Sequence, residues 1–374
     1  MVKNKMKFKV PYNYLPEQFS DHKKFFELWK PLLESGEFTL GPFVEKFESK
    51  FASYMGSKYC VSTNNGTDAL ILALRALGIK KGDEVITPCN SFYATTGAIV
   101  AVGATPVFAD VDNRYQLRIS EIKRLLTEKT KMVLPVHWAG ASPDLNEINQ
   151  LASENNLSVV EDACMAIGGN INGKKSGTFS DIGAFSMHPL KSLNVAGDGG
   201  MVLTNNEKLY NWMKAYRNHG MSDRDTIQFW GVNMRIQPLQ AIVADYFLDF
   251  VDEFIEKRNN NAKYLDSLLT ELTPKIQLPP RPRGFYETFS LYMIQANERN
   301  LLLKYLVANG IEAKIHYPTP LHLQPASKNL GLNTENLNTA ETQAERLLTL
   351  PIHQYLEKYQ IEYMANTIAN FYAK

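Results

Sequence analysis

The chain has 374 residues, 44% hydrophobic and 21% charged, the composition of a globular protein with a full-sized core and a length for about two to three domains. Lysine and arginine number 40 against 39 acidic residues, and a net charge of +1 excludes the basic surface of a dedicated nucleic-acid binder while leaving single anion pockets open. Three scattered cysteines, Cys60, Cys89 and Cys164, exclude a disulfide scaffold and a zinc site, so no metal centre is expected.

Residues 1–12 are basic but lack the apolar run, roughly 7–15 residues long, of a signal peptide. The longest nearly apolar stretch, residues 97–109, falls short of the ~20 residues that span a bilayer. These features predict a cytoplasmic protein with no membrane segment.

From residue 40 to about 205, helical and β-rich segments alternate. Residues 59–62 are β-rich and 67–76 helical; 84–86 read as a strand, 95–102 as a helix and 106–109 as a strand. A helix near 120–126, a strand at 132–135, a helix at 144–154 and a strand at 157–161 follow. Such alternation predicts an α/β fold, with right-handed crossovers and a mostly parallel sheet flanked by helices. Residues 170–177 (NINGKKSG) carry the Asn-Gly signature of a hairpin. A long helix is expected around 237–257, a proline-rich connector at 278–284, a strand at 290–295 and a helix at 299–309. We therefore expect a large domain over residues 1–250 and a smaller α+β domain over 251–374.

Ligands of such sheets sit outside the carboxyl ends of the strands, so residues just after strands have the first claim on chemistry. Residues 64–70 (NNGTDAL) follow a β-rich run and open a helix, whose free N–H groups and dipole suit a phosphate. A plain helix cap has the same composition. Glu161 and Asp162 end a later strand, where one carboxylate could hold a protonated ring nitrogen or simply cap the strand. Ser186, His188 and Lys191 follow another strand through a proline-fixed turn, and a glycine-rich return at 197–200 comes next. A lysine on a stiff turn at this edge is placed to form a Schiff base with an aldehyde. Each piece alone has an ordinary structural reading. Their order on one sheet is what pyridoxal 5′-phosphate (PLP) requires: phosphate to the helix, ring nitrogen to Asp162, aldehyde to Lys191.

With these motifs on the page, the chain resembles the DegT/DnrJ/StrS-type sugar aminotransferases of the fold-type-I PLP enzymes. The resemblance runs from GEFTLGP at 36–42 to LPIH at 350–353. It includes NNGTDALILAL at 64–74, GDEVITPCNSFYAT at 82–95, GATPVFADVD at 103–112 and VVEDACMAIGG at 159–169. Further on come SMHPLKSLNVAGDGG at 186–200, RNHG at 217–220, GVNMRIQPLQAIVA at 231–244 and IHYPTPLH at 315–322. It implies that Lys191 carries the cofactor and shuttles the proton, and that Asp162 pairs with the pyridine nitrogen. It further implies that Gly66, Thr67 and Ser186 bind the phosphate and that Phe92 stacks on the ring. Asn233 would reach the phosphate of the other subunit, which requires a homodimer with shared active sites. His188, Tyr317 and His322 would lie near the substrate.

The activity implied is transfer of an amino group from an amino acid, by family habit L-glutamate, to a nucleotide-linked keto-sugar for glycan biosynthesis. A dehydratase branch of the family has His where this chain keeps Lys191, which favours amino transfer. A PLP-dependent lyase and a non-catalytic regulator of the same fold are the alternatives. Arg217, Arg235 and Lys314 are candidate cations for a substrate diphosphate. Met165 stands where many relatives have Gln or His, and a thioether cannot donate a hydrogen bond to the cofactor's ring hydroxyl.

Overall fold

The structure is a computed structural model and describes residues 8–332, 335 and 337–373; most of the basic start, residues 1–7, lies outside the described residues. Thirteen strands are present among them: β1 Tyr59–Thr63, β2 Glu84–Pro88, β3 Thr105–Ala109, β4 Thr130–Val133, β5 Ser158–Asp162, β6 Asn170–Ile171, β7 Lys174–Lys175, β8 Ile182–Ser186, β9 Gly200–Thr204, β10 Ile276–Gln277, β11 Phe285–Tyr286, β12 Tyr292–Ala296 and β13 Leu347–Leu350.

Seven of these form one sheet in the order β1-β9-β8-β5-β4-β2-β3. The strands from β8 to β3 pair in parallel, and β9 alone runs against its neighbours β1 and β8. The expected mostly parallel α/β sheet is therefore present. Its strands are apolar on both faces because helices cover both. Along β5, Val160 packs with Leu70, Ala98 and Met132 on one face, and Val159 packs with Ile148, Leu151 and Ile86 on the other. Helices Gly66–Ala76, Tyr93–Ala101 and Glu207–Tyr216 cover the first face. Helices Pro42–Met55 and Pro238–Leu248 pack on the second, with Leu145–Glu154 further along it.

The Asn-Gly hairpin forms as read. Asn172 and Gly173 both take left-handed backbone angles, φ 50° and 86°, the pair that a tight turn between β6 and β7 demands. β11 adds to this hairpin from far along the chain.

The long helix expected at 237–257 is corrected to two helices. Pro238–Leu248 ends at Asp249, and after Phe250 (φ −109°, ψ −3°) a new helix runs over Val251–Leu269. Phe250 stacks on Phe254 and contacts Tyr246, so its half-buried ring packs against the core at the break. The first half of the new helix places Val251, Phe254 and Ile255 in the core of the large sheet. Its second half places Ala262, Leu265 and Leu269 in another core, built on the antiparallel sheet β10-β12-β13 and helices Arg299–Ala308 and Lys358–Tyr372. Val10, near the start of the described chain, also belongs to that second core.

One buried ion pair ties helix Pro42–Met55 and β1 to the end of helix Glu207–Tyr216. The Arg217 Nη1 donates to Glu48, to the Ser62 carbonyl at 2.8 Å and to the Ser62 hydroxyl at 2.9 Å. Glu48 in turn accepts from the Ser62 amide and hydroxyl. Arg217 is thus buried against Glu48 through its Nη1 and does not line the cavity described below, unlike the substrate-binding cation that its sequence context allows. Removing one member of a buried pair strands the other charge, at a cost of about 3–5 kcal/mol. Arg217→Met should lower stability by that amount in urea unfolding; a variant as stable as the parent would show that the pair is not a structural anchor.

Candidate active site

The carboxyl ends of β1, β5 and β8 converge on a cavity of about 510 Å³. After β1, Asn65 caps helix Gly66–Ala76 by accepting the Asp68 amide at 2.8 Å. That leaves the Gly66 and Thr67 N–H groups, the first of the helix, without helical acceptors. Both residues line the cavity, and so does Ser186 at the end of β8. Glycine is required at 66: a Cβ there would lie 2.6 Å from Ser186 Cβ and 3.2 Å from the Cys164 sulfur. The absence of a side chain lets the helix start come down onto the end of β8 and build one concave, donor-rich wall.

β5 separates its two terminal acids. Glu161, fully buried, accepts from the backbone amides of Gly177, Phe179 and Ser180 and bonds the His137 ring at 3.0 Å. It is an anchor for the hairpin return. Asp162, one residue on, faces the cavity. Its Oδ2 accepts the Thr95 hydroxyl at 2.7 Å and its Oδ1 the Cys164 amide at 3.2 Å. No Lys or Arg lies at ion-pair distance from it among the described residues.

Lys191 closes a tight turn in which Leu190 is left-handed (φ 74°) and the Lys191 amide donates to the His188 carbonyl at 3.1 Å. Its side chain enters the same cavity. Burial pulls its ammonium below the usual lysine range, while Cys164 and Asp162 oppose the shift. The amine is thereby moved towards the neutral form that a proton carrier or nucleophile needs. His188 lines the cavity with its Nδ1 tied to the Pro189 carbonyl and its amide to the Ser186 hydroxyl.

Aromatic rings supply the remaining wall. The Tyr317 ring meets Phe92 at 5.8 Å, Tyr93 at 5.3 Å and Trp138 at 5.7 Å between centroids. Tyr12 stacks on His316 at 5.9 Å, and both also line the cavity. Burial, then the charges of Lys314 and Lys191, lower the His316 ring to about 4, so it is neutral at physiological pH. Its Nδ1 is held by the Thr349 hydroxyl at 3.1 Å.

Of the residues singled out in the sequence, Gly66, Thr67, Phe92, Asp162, Ser186, His188, Lys191 and Tyr317 meet at this one cavity. His322 does not. It is fully buried beside Phe108, and its Nε2 bonds Glu341 at 2.8 Å, so it serves to seat helix Asn338–Arg346 rather than to face a substrate. Asn233 lies outside the cavity on the exposed surface of its own protomer. Thr95, Trp138, Tyr12 and His316 were missed. Trp138 follows β4 closely enough for the strand-end rule to have found it. Tyr12 and His316 arrive from distant segments without a local signal.

The model of the DegT/DnrJ/EryC1/StrS aminotransferase family matches residues 20–369. A "pleiotropic regulatory protein" of Geobacillus stearothermophilus is 35% identical over 97% of this chain and 98% of its own length. A UDP-N-acetyl-3-dehydro-α-D-glucosamine 3-aminotransferase of Acidithiobacillus ferrooxidans is 38% identical over 90% of each chain. The structure of S. venezuelae DesV in complex with a ketimine intermediate superposes with a TM-score of 0.94 at 33% identity, covering 98% of this chain and 99% of that one. Other similar structures carry PLP or PMP. With the site and the whole fold in agreement, the chain belongs to the DegT/DnrJ/EryC1/StrS aminotransferases, a family of sugar transaminases.

Proposed function

We propose that this aminotransferase uses PLP to move an amino group from L-glutamate to a nucleotide-linked keto-sugar, making an amino sugar for surface polysaccharide or a related glycan in the cytoplasm. The observation that carries the reading is Asp162: a buried carboxylate with no lysine or arginine at ion-pair distance among the described residues, in the same cavity as a lysine and a glycine-built helix start. The Thr95 hydroxyl and the Cys164 amide orient this carboxylate without neutralising it, and a protonated pyridine nitrogen would be the positive partner that a buried charge favours. The residues fit the cofactor.

Gly66, Thr67 and Ser186 would hold its phosphate, Phe92 would cover its ring, and Asp162 would accept its ring N–H. When bound, PLP supplies an electron sink that makes the donor's α-proton removable. The protein supplies the rest. Thr95 fixes the Asp162 carboxylate, and the Lys191 amine takes up and returns the proton. The aromatic wall of Tyr317, Trp138 and Phe92 would give the substrate an apolar face to pack on.

The charge of the lining bears on the substrate. Lys191 is the only lysine or arginine among the lining residues. Arg217 is buried against Glu48, and Arg235 donates to the Asn218 side chain at 2.7 Å. Lys314 lies over the Tyr12 ring at 4.3 Å, paired with Glu312 at 3.3 Å. The sugar ring therefore fits the aromatic cavity, and a diphosphate would meet its cations at the rim or on a second copy. The exposed segment with Ile227, Trp230 and Val232 is suited to bury itself in a homodimer, from which Asn233 would reach the neighbouring phosphate. We read residues 1–250 as the cofactor-binding domain and 251–374 as the domain that brings His316 and Tyr317 to it.

The regulatory name of the Geobacillus relative favours a second reading, a non-catalytic regulator of the same fold. Lys191, Asp162 and Thr67 together in the cavity weigh against it. The visible spectrum of the PLP-loaded protein decides: with L-glutamate the lysine-bound band should bleach as pyridoxamine phosphate forms. A band indifferent to glutamate would point to another donor or to lyase chemistry, and no band at all would favour the regulator.

Lys191→Ala should still bind cofactor but lose about 10²–10⁴-fold or more of turnover; near-normal turnover would remove Lys191 from the mechanism. Gly66→Ala should weaken PLP at least about tenfold while leaving phosphate-free pyridoxal nearly unaffected, because the added methyl disrupts the phosphate wall alone. Equal losses for both ligands would place the phosphate elsewhere.

A further inference from the structure

Behind the reactive lysine lies a closed ring of hydrogen bonds that none of the chemistry above uses. Arg258 Nη2 donates to the Tyr14 hydroxyl at 2.8 Å, and that hydroxyl donates to the main-chain carbonyl of Lys191 at 3.0 Å. Asn194 Nδ2 donates to the same carbonyl at 3.1 Å. Gln18 Nε2 donates to Asn194 Oδ1 at 3.0 Å, and Gln354 Nε2 to Gln18 Oε1 at 3.4 Å. Arg258 Nε donates to Gln354 Oε1 at 3.0 Å and closes the circuit. All five side chains are buried, and none lines the cavity. They come from four separate parts of the chain: the N-terminal segment, the lysine turn, helix Val251–Leu269 and the stretch after β13.

Arg258 is the costly member. Its guanidinium is 1% exposed and is directed to Tyr14, Gln354 and the Phe289 carbonyl, with no carboxylate at ion-pair distance among the described residues. A buried charge met only by neutral acceptors is expensive, and its field strengthens every hydrogen bond it polarises. Here the polarised group is the Tyr14 hydroxyl, which passes the effect to the Lys191 carbonyl. The turn needs such support, since Leu190 holds a left-handed backbone beside Lys191.

We infer that Tyr14, backed by Arg258, is a positioning residue for Lys191, and that the N-terminal segment is thereby part of the catalytic apparatus. The inference rests on the role proposed for Lys191. It is tested on PLP-loaded protein with Tyr14→Phe, which deletes one donor to the lysine carbonyl without changing side-chain shape. Gln18→Met is the second variant; it breaks the ring on the Asn194 side and leaves the Arg258–Tyr14 bond in place.

Both variants should release cofactor several-fold faster, followed by the visible absorption of the lysine-bound form. Both should lose about tenfold in kcat with the sugar KM within about twofold, the pattern of a misplaced reacting group. If Tyr14→Phe fails to fold, Gln18→Met carries the test. Parental cofactor release and kcat in a folded variant overturn the inference, and so does a lowered melting temperature with both quantities unchanged. If the parent protein itself shows no lysine-bound absorption, the Lys191 assignment falls, a result distinct from failure of the ring.

Discussion

The arrangement depends on one carboxylate. Asp162 sits buried at the end of β5 with a hydroxyl and a backbone amide as its partners and, among the described residues, no lysine or arginine at ion-pair distance. Desolvation of a lone charge disfavours it strongly, so such a group persists where the surrounding fold holds it in place and a positive partner completes it. Thr95 and the turn after β5 do the holding. Asp162 also helps to oppose the burial that lowers Lys191, so the carboxylate bears on the charge of the lysine that shares its cavity.

That placement follows from strand geometry. Side chains alternate across a strand, so Glu161 and Asp162 must point to opposite faces of β5. One is consumed by the amides of residues 177–180, and the other is delivered to the cavity. Because β1, β5 and β8 run in the same direction, their carboxyl ends bring Gly66, Asp162 and Ser186 to one edge without a long loop. Gly66 then allows the closest approach of the pieces, with Ser186 and Cys164 where a side chain would otherwise stand.

These parts were legible because they are local. A strand end followed by a glycine, an acid or a lysine can be read from a dozen residues, and Gly66, Asp162 and Lys191 all lie where that rule puts them. Tyr12, Trp138 and His316 share the cavity with them through tertiary packing alone, and only Trp138 follows a strand of the large sheet. His322 illustrates the opposite error. It belongs to a stretch that resembles the family motif, yet two residues after Pro320 its ring turns into the protein to meet Glu341 and Phe108. The break at Asp249 and Phe250 was equally hidden, since an apolar, helix-compatible sequence continues through it.

The shape of the cavity belongs to both cores at once. Lys314 exchanges backbone hydrogen bonds with Thr349 of β13, and the Thr349 hydroxyl holds His316, so this rim is fastened to the small antiparallel sheet. Asp162 and Ser186 are fastened to the large one. Helix Val251–Leu269 packs into both cores along its length, and its Arg258 lies between the two groups of core residues. A helix rigid over this span fixes the distance between the walls far better than a loop would. The width of the cavity therefore follows from the relative placement of two cores, a property of long-range packing that no short motif encodes.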